Sequence, residues 1–411
     1  MAEKIKSNNL FLWVLAYIIG IIVLLFVGCK STTNTNSSVS TQISSNLKWS
    51  ERLALTLMKK HPNAYEIDDK TAPKWDYVHG LVMTSFEGLY KKNNNPIYFD
   101  YIKGYADATI DINGNIATYK LESYNIDMII AGNHLFYLYE KTKDNRYLKV
   151  LQTLRSQLNT HPRTSEGGFW HKKVYPNQMW LDGLYMGSPF YAHYTSKFEN
   201  NDKLNDVVKQ FELIQKHLLD SKTGLLYHGW DESKQMAWAN RETGTSPNFW
   251  SRSLGWYAMA LVDALDYFPD NHPKKKELIS YLNSLSISLL KYQHESGLWY
   301  QVTDQGNRAG NYLEASGSAM FAYAFAKGAN KGYLPKEFKK HAEKAFDGIT
   351  RDLVKVTPEG YVIITQCCAV AGLGGNPFRD GSYDYYINEK KKDNDPKATG
   401  PFILAALELN K

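Results

Sequence analysis

The chain has 411 residues, 43% of them hydrophobic and 14% aromatic, with a formal charge of +6. That length and apolar share provide for a large core, either in two or three domains or in one big barrel. The charge is modest and spread out, with no basic stripe, which excludes nucleic acid as a partner and leaves an acidic small substrate compatible.

At the N-terminus Lys4 and Lys6 precede an apolar run from Leu10 to Gly28. A run of this length reads either as a bilayer-spanning anchor or as an export signal. It ends in "LFVGC", which resembles a bacterial lipobox with Cys29 as the lipidated residue, although Phe26 and Val27 depart from that pattern. The expectation is a monomer lipid-anchored at the cell envelope. Its parts are a signal or anchor over 1–28, a flexible polar tether over 29–46, and one domain over 47–411. The adjacent Cys367 and Cys368 are expected to be free, buried thiols, and no metal-ligand spacing is present.

From residue 49 onward the apolar spacing is helical. It predicts helices near 49–60, 76–93, 96–110, 121–141, 144–159 and 177–197, then 202–220, 250–268, 272–293, 312–329, 335–354 and 397–409. Short polar links such as "KTKDNR" and "FENNDK" join antiparallel neighbours. The long links share a pattern of glycine followed by apolar and aromatic residues: "SEGGFWH", "KTGLLYH", "ESGLWYQ" and "PEGYVII". Twelve helices in six hairpins, with long links on one side, point to an all-α (α/α)6 toroid with small β hairpins in those links; an open solenoid is the alternative. Helices as aromatic as 177–197 and 250–268 need burial on more than one face, which favours closure.

If the long links share one end, polar residues gather there. They are Asp127, His171, Asp182 within the aromatic stretch "YPNQMWLDGLYMGSPFYAHY", His228, and Trp250, Arg252 and Trp256 from "FWSRSLGWY". Indoles stack on sugar rings and a guanidinium grips a carboxylate in bidentate fashion, so a sugar acid is a sensible ligand. The bland readings are equally available: Asp182 as a helix cap, the histidines as loop hydrogen-bonders, the tryptophans as core. Arg252 needs a partner in either case, a protein carboxylate or a ligand, because an unpaired buried guanidinium is costly. The loop "GNPFRDGSYDYY" brings Tyr385 and Tyr386 as further candidates to line the cleft.

"NQMWLDGLYMGSPF", "YHGWD" and "FWSRSLGWYAMAL", in that order, resemble the unsaturated rhamnogalacturonyl hydrolases of glycoside hydrolase family 105. The unsaturated glucuronyl hydrolases are a sister group. The likeness runs from about Trp49 to the C-terminus, and "CCAVAGLGG" departs from the family's usual loop. It implies an (α/α)6 barrel that hydrates the C4=C5 bond of a terminal uronic acid in lyase-made oligosaccharides, with no cofactor and no metal. By the same resemblance Asp182 is the general acid, and Asp127 is the second aspartate, keeping Asp182 protonated by like-charge repulsion. It further implies that His228 and Arg252 hold the sugar, Arg252 at its carboxylate. Trp250 and Trp256 are its stacking walls, and His171, Lys172 and Met186 stand beside it. The competing readings are an inverting hydrolase of saturated glycosides on the same fold, a polysaccharide lyase on a similar toroid, and a lipid-anchored glycan-binding protein.

Overall fold

The structure, a computed structural model, describes residues 42–411. The anchor segment and Cys29 lie outside the described residues. Twelve principal helical segments alternate between an outer and an inner ring. The outer helices are Trp49–Lys60, Pro96–Thr109, Asn145–Thr160, Leu204–Leu218, Lys275–Leu290 and Phe338–Gly348. The inner ones are Tyr77–Asn93, Asp127–Ile130 continued by Leu135–Thr142, Leu181–Phe198, Ser251–Ala264, Ala315–Asn330 and Pro396–Leu409. Pro396–Leu409 packs on both Ala315–Asn330 and Tyr77–Asn93, so the ring closes and the fold is the (α/α)6 toroid.

Sequence pattern explains which helix takes which ring. In Leu204–Leu218 the buried positions include Leu204, Val207, Val208, Phe211, Ile214 and Leu218, a single stripe suited to covering a core from outside. In Ser251–Ala264 every residue but Asp263 is buried, which only an inner position allows. Close approach of the inner helices relies on small residues. A Cβ on Gly400 would lie 2.7 Å from Leu81 Cγ, directly at the seam that closes the ring.

The repeated link pattern has a physical cause. After each of four outer helices the chain reverses through a tight turn whose glycine, Gly167, Gly224, Gly297 or Gly360, has φ between +74° and +97°. Every long link then leads into the N-terminal end of an inner helix, so the link ends and helix starts meet at one mouth. Three two-stranded antiparallel pairs lie in the links. Val354–Val356 with Val362–Ile364 is a local hairpin, and Trp299–Tyr300 pairs with Leu313–Glu314. Gln178–Trp180 instead pairs with Gly229–Asp231, tying two different links together at the mouth.

Several sequence-based boundaries need correction. The helix expected over 121–141 is broken: Tyr124 is left-handed, Asn125 Oδ1 accepts the Asp127 N–H at 3.1 Å, and a turn through Gly132 and Asn133 interrupts the ladder. The helix expected from 177 begins at Leu181, after the strand Gln178–Trp180, so Asp182 lies in its first turn rather than mid-helix. The helix expected to reach 354 ends in a π-turn, Ile349–Leu353, and passes into strand. A short helix, Tyr383–Asn388, was not foreseen. The tether reading fails for its last residues: Ile43 is buried, and its N–H donates to Glu359 O at 2.8 Å. Cys367 and Cys368 are free and buried, as expected.

The interior holds imidazoles as well as hydrocarbon. His193 is stacked between Phe136 (3.7 Å) and Tyr267 (4.2 Å), and His134 is fully buried beside Trp75 and Tyr105. Burial pushes His134 and His193 down to about 3, and His161 and His171 to about 4, from an ordinary 6.5. In this window the unfolded chain binds protons that the folded chain does not, so stability is full above pH 6.5 and is lost as pH falls toward 4. The limiting slope is about 1.4 kcal/mol per pH unit for each group. Urea unfolding at pH 7.5 and 4.5 is therefore expected to show a loss of several kcal/mol at the lower pH; a flat profile would contradict neutral burial of these rings.

Candidate active site

Two carboxylates open two neighbouring inner helices. Asp127 is the first residue of Asp127–Ile130 and Asp182 the second of Leu181–Phe198, and these helices pack together. Each acid has an imidazole beside it. His171 Nε2 stands 3.4 Å from Asp127 Oδ1, and His228 Nε2 stands 3.2 Å from Asp182 Oδ2. The strand pair that joins the links sets this geometry: His171 N–H donates to Gln178 O at 2.7 Å, and the His228 carbonyl accepts from Leu181 N–H at 3.0 Å. Trp180, between them in space, stacks on His171 at 4.3 Å and presents its ring to the His228 edge at 5.5 Å.

The two acids differ in their surroundings. Lys172 Nζ sits 2.6 Å from Asp127 Oδ2. Burial works against the Asp127 anion, but Lys172 and His171 outweigh it and hold that carboxyl below the ordinary carboxylate range. Burial likewise opposes the Lys172 cation, yet Asp127 holds the ammonium above its ordinary value. Because Lys172 compensates it, the Asp127 charge does not act on Asp182 as the bare like charge the sequence reading invoked. Among the described residues no lysine or arginine stands against Asp182 in this way; its near neighbour is the buried His228. Among the described residues, Asp127 Oδ1, Asp182 Oδ2, His171 Nδ1 and His228 Nε2 are all buried without a formed hydrogen bond. Buried polar atoms are rarely left without a hydrogen bond, so such a cluster about the two acids marks this end of the barrel as a functional candidate.

Several other expectations change. Arg252 is 1% exposed; its Nε donates to Ser316 Oγ at 2.6 Å, Nη2 to Cys368 O, and Glu314 lies 3.6 Å away. Its partner is therefore a protein carboxylate, and its charge is not free to grip a substrate. Trp250 and Trp256 are each 1% exposed, with His228, Tyr386 and Arg252 around the first and Tyr185 stacked on the second, so they support the site from behind rather than offer a face to sugar. Met186 is buried as well. Tyr385 turns away, its hydroxyl accepting from Gly372 N–H at 3.0 Å, while Tyr386 reaches the centre with its hydroxyl 2.7 Å from His228 Nδ1. The cleft is thus met by Lys172, Asp182 and Asp127, whose side chains retain 24%, 13% and 10% exposure.

Residues missed in the sequence include Tyr77, whose phenol burial and Asp127 together push far above its ordinary value. Its position at the start of an inner helix, after a link, was the available signal. Glu314 was missed because it sits in a link strand ahead of a helix start, caps that helix through Gly317 N–H at 2.7 Å and accepts Cys368 N–H at 3.0 Å.

A family model described as Glycosyl Hydrolase Family 88 matches residues 49–411. A solved glycoside hydrolase from family 105 of C. acetobutylicum is 44% identical, covering 89% of this chain and 99% of that one, with a TM-score of 0.85. Protein Atu3128 of Agrobacterium fabrum is 38% identical over 229 residues, 54% of this chain and 97% of that protein. The unsaturated rhamnogalacturonyl hydrolase YesR of Bacillus subtilis is 27% identical over 281 residues, 67% of this chain and 75% of that protein.

The buried Arg252 arrangement generates a test. Arg252→Met leaves Glu314 as an uncompensated buried charge and is expected to cost about 3–5 kcal/mol of stability. Chemical unfolding of the variant measures this. Unchanged stability with only weaker substrate binding would restore the carboxylate-gripping role.

Proposed function

Because this chain belongs to glycosyl hydrolase family 88, we propose that it removes the C4=C5-unsaturated uronic acid from the non-reducing end of oligosaccharides left by a polysaccharide lyase. The observation that carries the reading is the asymmetry of the two acids: Asp127 is held as an anion by Lys172, whereas the ionisable group against Asp182 among the described residues is His228. An unsaturated uronic acid is an enol ether conjugated to a carboxylate, so it can be cleaved by hydration. Asp182 gives its proton to C4, the double-bond electrons form that C–H bond, and positive charge develops at C5. Water adds at C5 and returns a proton to the Asp182 carboxylate. The hemiketal at C5 then opens, and the hemiacetal at C1 releases the neighbouring sugar.

In this mechanism one group moves the proton in both directions. Asp127, tied to Lys172, acts as a fixed acceptor for sugar hydroxyls. An inverting hydrolase of saturated glycosides would need its second carboxylate to take a proton from water, a task ill suited to a carboxylate kept so weakly basic. We further propose a rhamnose beyond the cleaved bond, in keeping with the rhamnogalacturonyl relative. Ulvan and rhamnogalacturonan both remain sources, since elimination at C4 makes their uronyl groups identical. The enzyme's place in this proposal is the cell envelope, anchored through a lipid on Cys29.

The test follows the ultraviolet absorbance of the conjugated double bond in oligosaccharides made by a rhamnogalacturonan lyase and by an ulvan lyase. Wild type is expected to remove the absorbance from at least one set, with Asp182→Asn slower by about 10²–10⁴-fold. No loss on either set would return the chain to a glycan-binding role, and cleavage of glucosamine-linked disaccharides alone would remove the rhamnose preference.

A further inference from the structure

His228 stands between two polar groups, and which of its nitrogens carries the proton decides what the cleft receives. Nδ1 lies 2.7 Å from the Tyr386 hydroxyl and Nε2 lies 3.2 Å from Asp182 Oδ2. For a ring carrying one proton, two arrangements fit those distances. In one, the phenol O–H donates to Nδ1 and an Nε2–H faces Asp182. In the other, Nδ1–H donates to the phenol oxygen, and a bare Nε2 lone pair faces Asp182 and can take its proton.

The surroundings of Tyr386 decide between them. The residue is fully buried, and among the described residues His228 is the hydrogen-bond partner of its hydroxyl. Were Nδ1 to donate, the phenol proton would be buried with no acceptor, an arrangement that forfeits the desolvation cost of a polar group. With the phenol donating, its proton is satisfied. Burial also holds this phenol far above its ordinary range, so the proton is present throughout the working pH. The ring cannot easily swing aside: it stacks on Trp250 at 5.9 Å and 21°, and its backbone carbonyl accepts from Gln301 Nε2 at 3.0 Å. Gln301 Oε1 in turn accepts from Trp250 Nε1 at 3.1 Å.

We propose that Tyr386 is a positioning residue that locks His228 in the Nε2–H tautomer, so that a donor rather than a proton acceptor stands beside Asp182. The deduction rests on the hydration reading for its catalytic meaning. A His228 without a lone pair toward the cleft cannot draw the proton off Asp182, which leaves C4 of the substrate as its destination. In this arrangement the Nε2–H still has a carboxylate oxygen, Asp182 Oδ2, 3.2 Å away, whereas a phenol proton turned from Nδ1 would have no acceptor among the described residues. Tyr386 itself touches no substrate in this arrangement; it acts through the imidazole.

The experiment reads the tautomer in the resting protein. With histidine labelled in both ring nitrogens, a long-range nitrogen–proton NMR spectrum distinguishes a protonated ring nitrogen from a bare one, and His228→Gln assigns the signals. The full-length wild type is expected to show Nε2 protonated and Nδ1 bare for His228. Tyr386→Phe keeps the ring on Trp250 and removes only the donor; it is expected to mix the tautomers and to lower kcat by about tenfold with KM little changed. A protonated Nδ1 in wild type overturns the proposal, as does a variant whose tautomer and kcat both stay unchanged. Should Tyr386→Phe fail to fold, the wild-type spectrum still decides. Since that spectrum needs no substrate, absence of turnover by the wild type would sink the proposed activity without touching the tautomer assignment.

Discussion

The contact of Lys172 with Asp127 is the interaction on which the mouth of this toroid depends. The fold delivers two carboxylates to the starts of adjacent inner helices, where free N–H groups and the helix dipole favour negative charge. Left alone, the two acids would be near equivalents. An ammonium 2.6 Å from one of them ends that equivalence. Asp127 becomes a fixed anion whose charge is already answered, and Asp182 is left without such a cation among the described residues, which is what suits it to the proposed role of acid. Both acids are aspartates of similar burial, so the difference arises from a neighbour contributed by the link before the second helix.

That link is also where the fold and the chemistry meet. His171, Lys172 and Trp180 all come from the segment between Asn145–Thr160 and Leu181–Phe198, and its strand pairs with the segment that carries His228. One antiparallel ladder of three residues therefore registers both imidazoles against both acids. Behind it lies a wall of fully buried groups. Trp250 meets His228 and Tyr386, while Arg252 is bound to Glu314, Ser316 and the Cys368 carbonyl. This wall is polar yet largely satisfied, a combination that rigidifies a site where apolar packing alone would leave rings free to rotate.

Much of this was legible in the sequence. The turn glycines and the periodic apolar spacing carried the six hairpins, because local conformation and burial are both encoded by short-range pattern. The gathering of Asp127, His171, Asp182 and His228 followed from placing link ends together. What resisted reading was partnership across long separations. Glu314 lies 62 positions after Arg252, and no local signal shows that the guanidinium meets a protein carboxylate instead of a ligand. Tyr385 and Tyr386 are indistinguishable in sequence, and only the turn of a six-residue helix sends one to His228 and the other to Gly372. The break at 124–134 was hidden because apolar residues continue through it, while Tyr124 takes a left-handed conformation there. Ile43, within a polar serine-rich stretch, is buried only because the turn at Gly360 receives it.

The central claim is that Asp182 delivers its proton to carbon, at C4 of the unsaturated sugar. Turnover in heavy water, stopped early and followed by mass spectrometry of the released acid, tests it most directly. The account expects one deuterium at C4 and a product that has lost the double bond at the moment the neighbouring sugar departs. A released acid that carries no deuterium and still holds its C4=C5 bond would contradict it, and would assign these residues to displacement at C1.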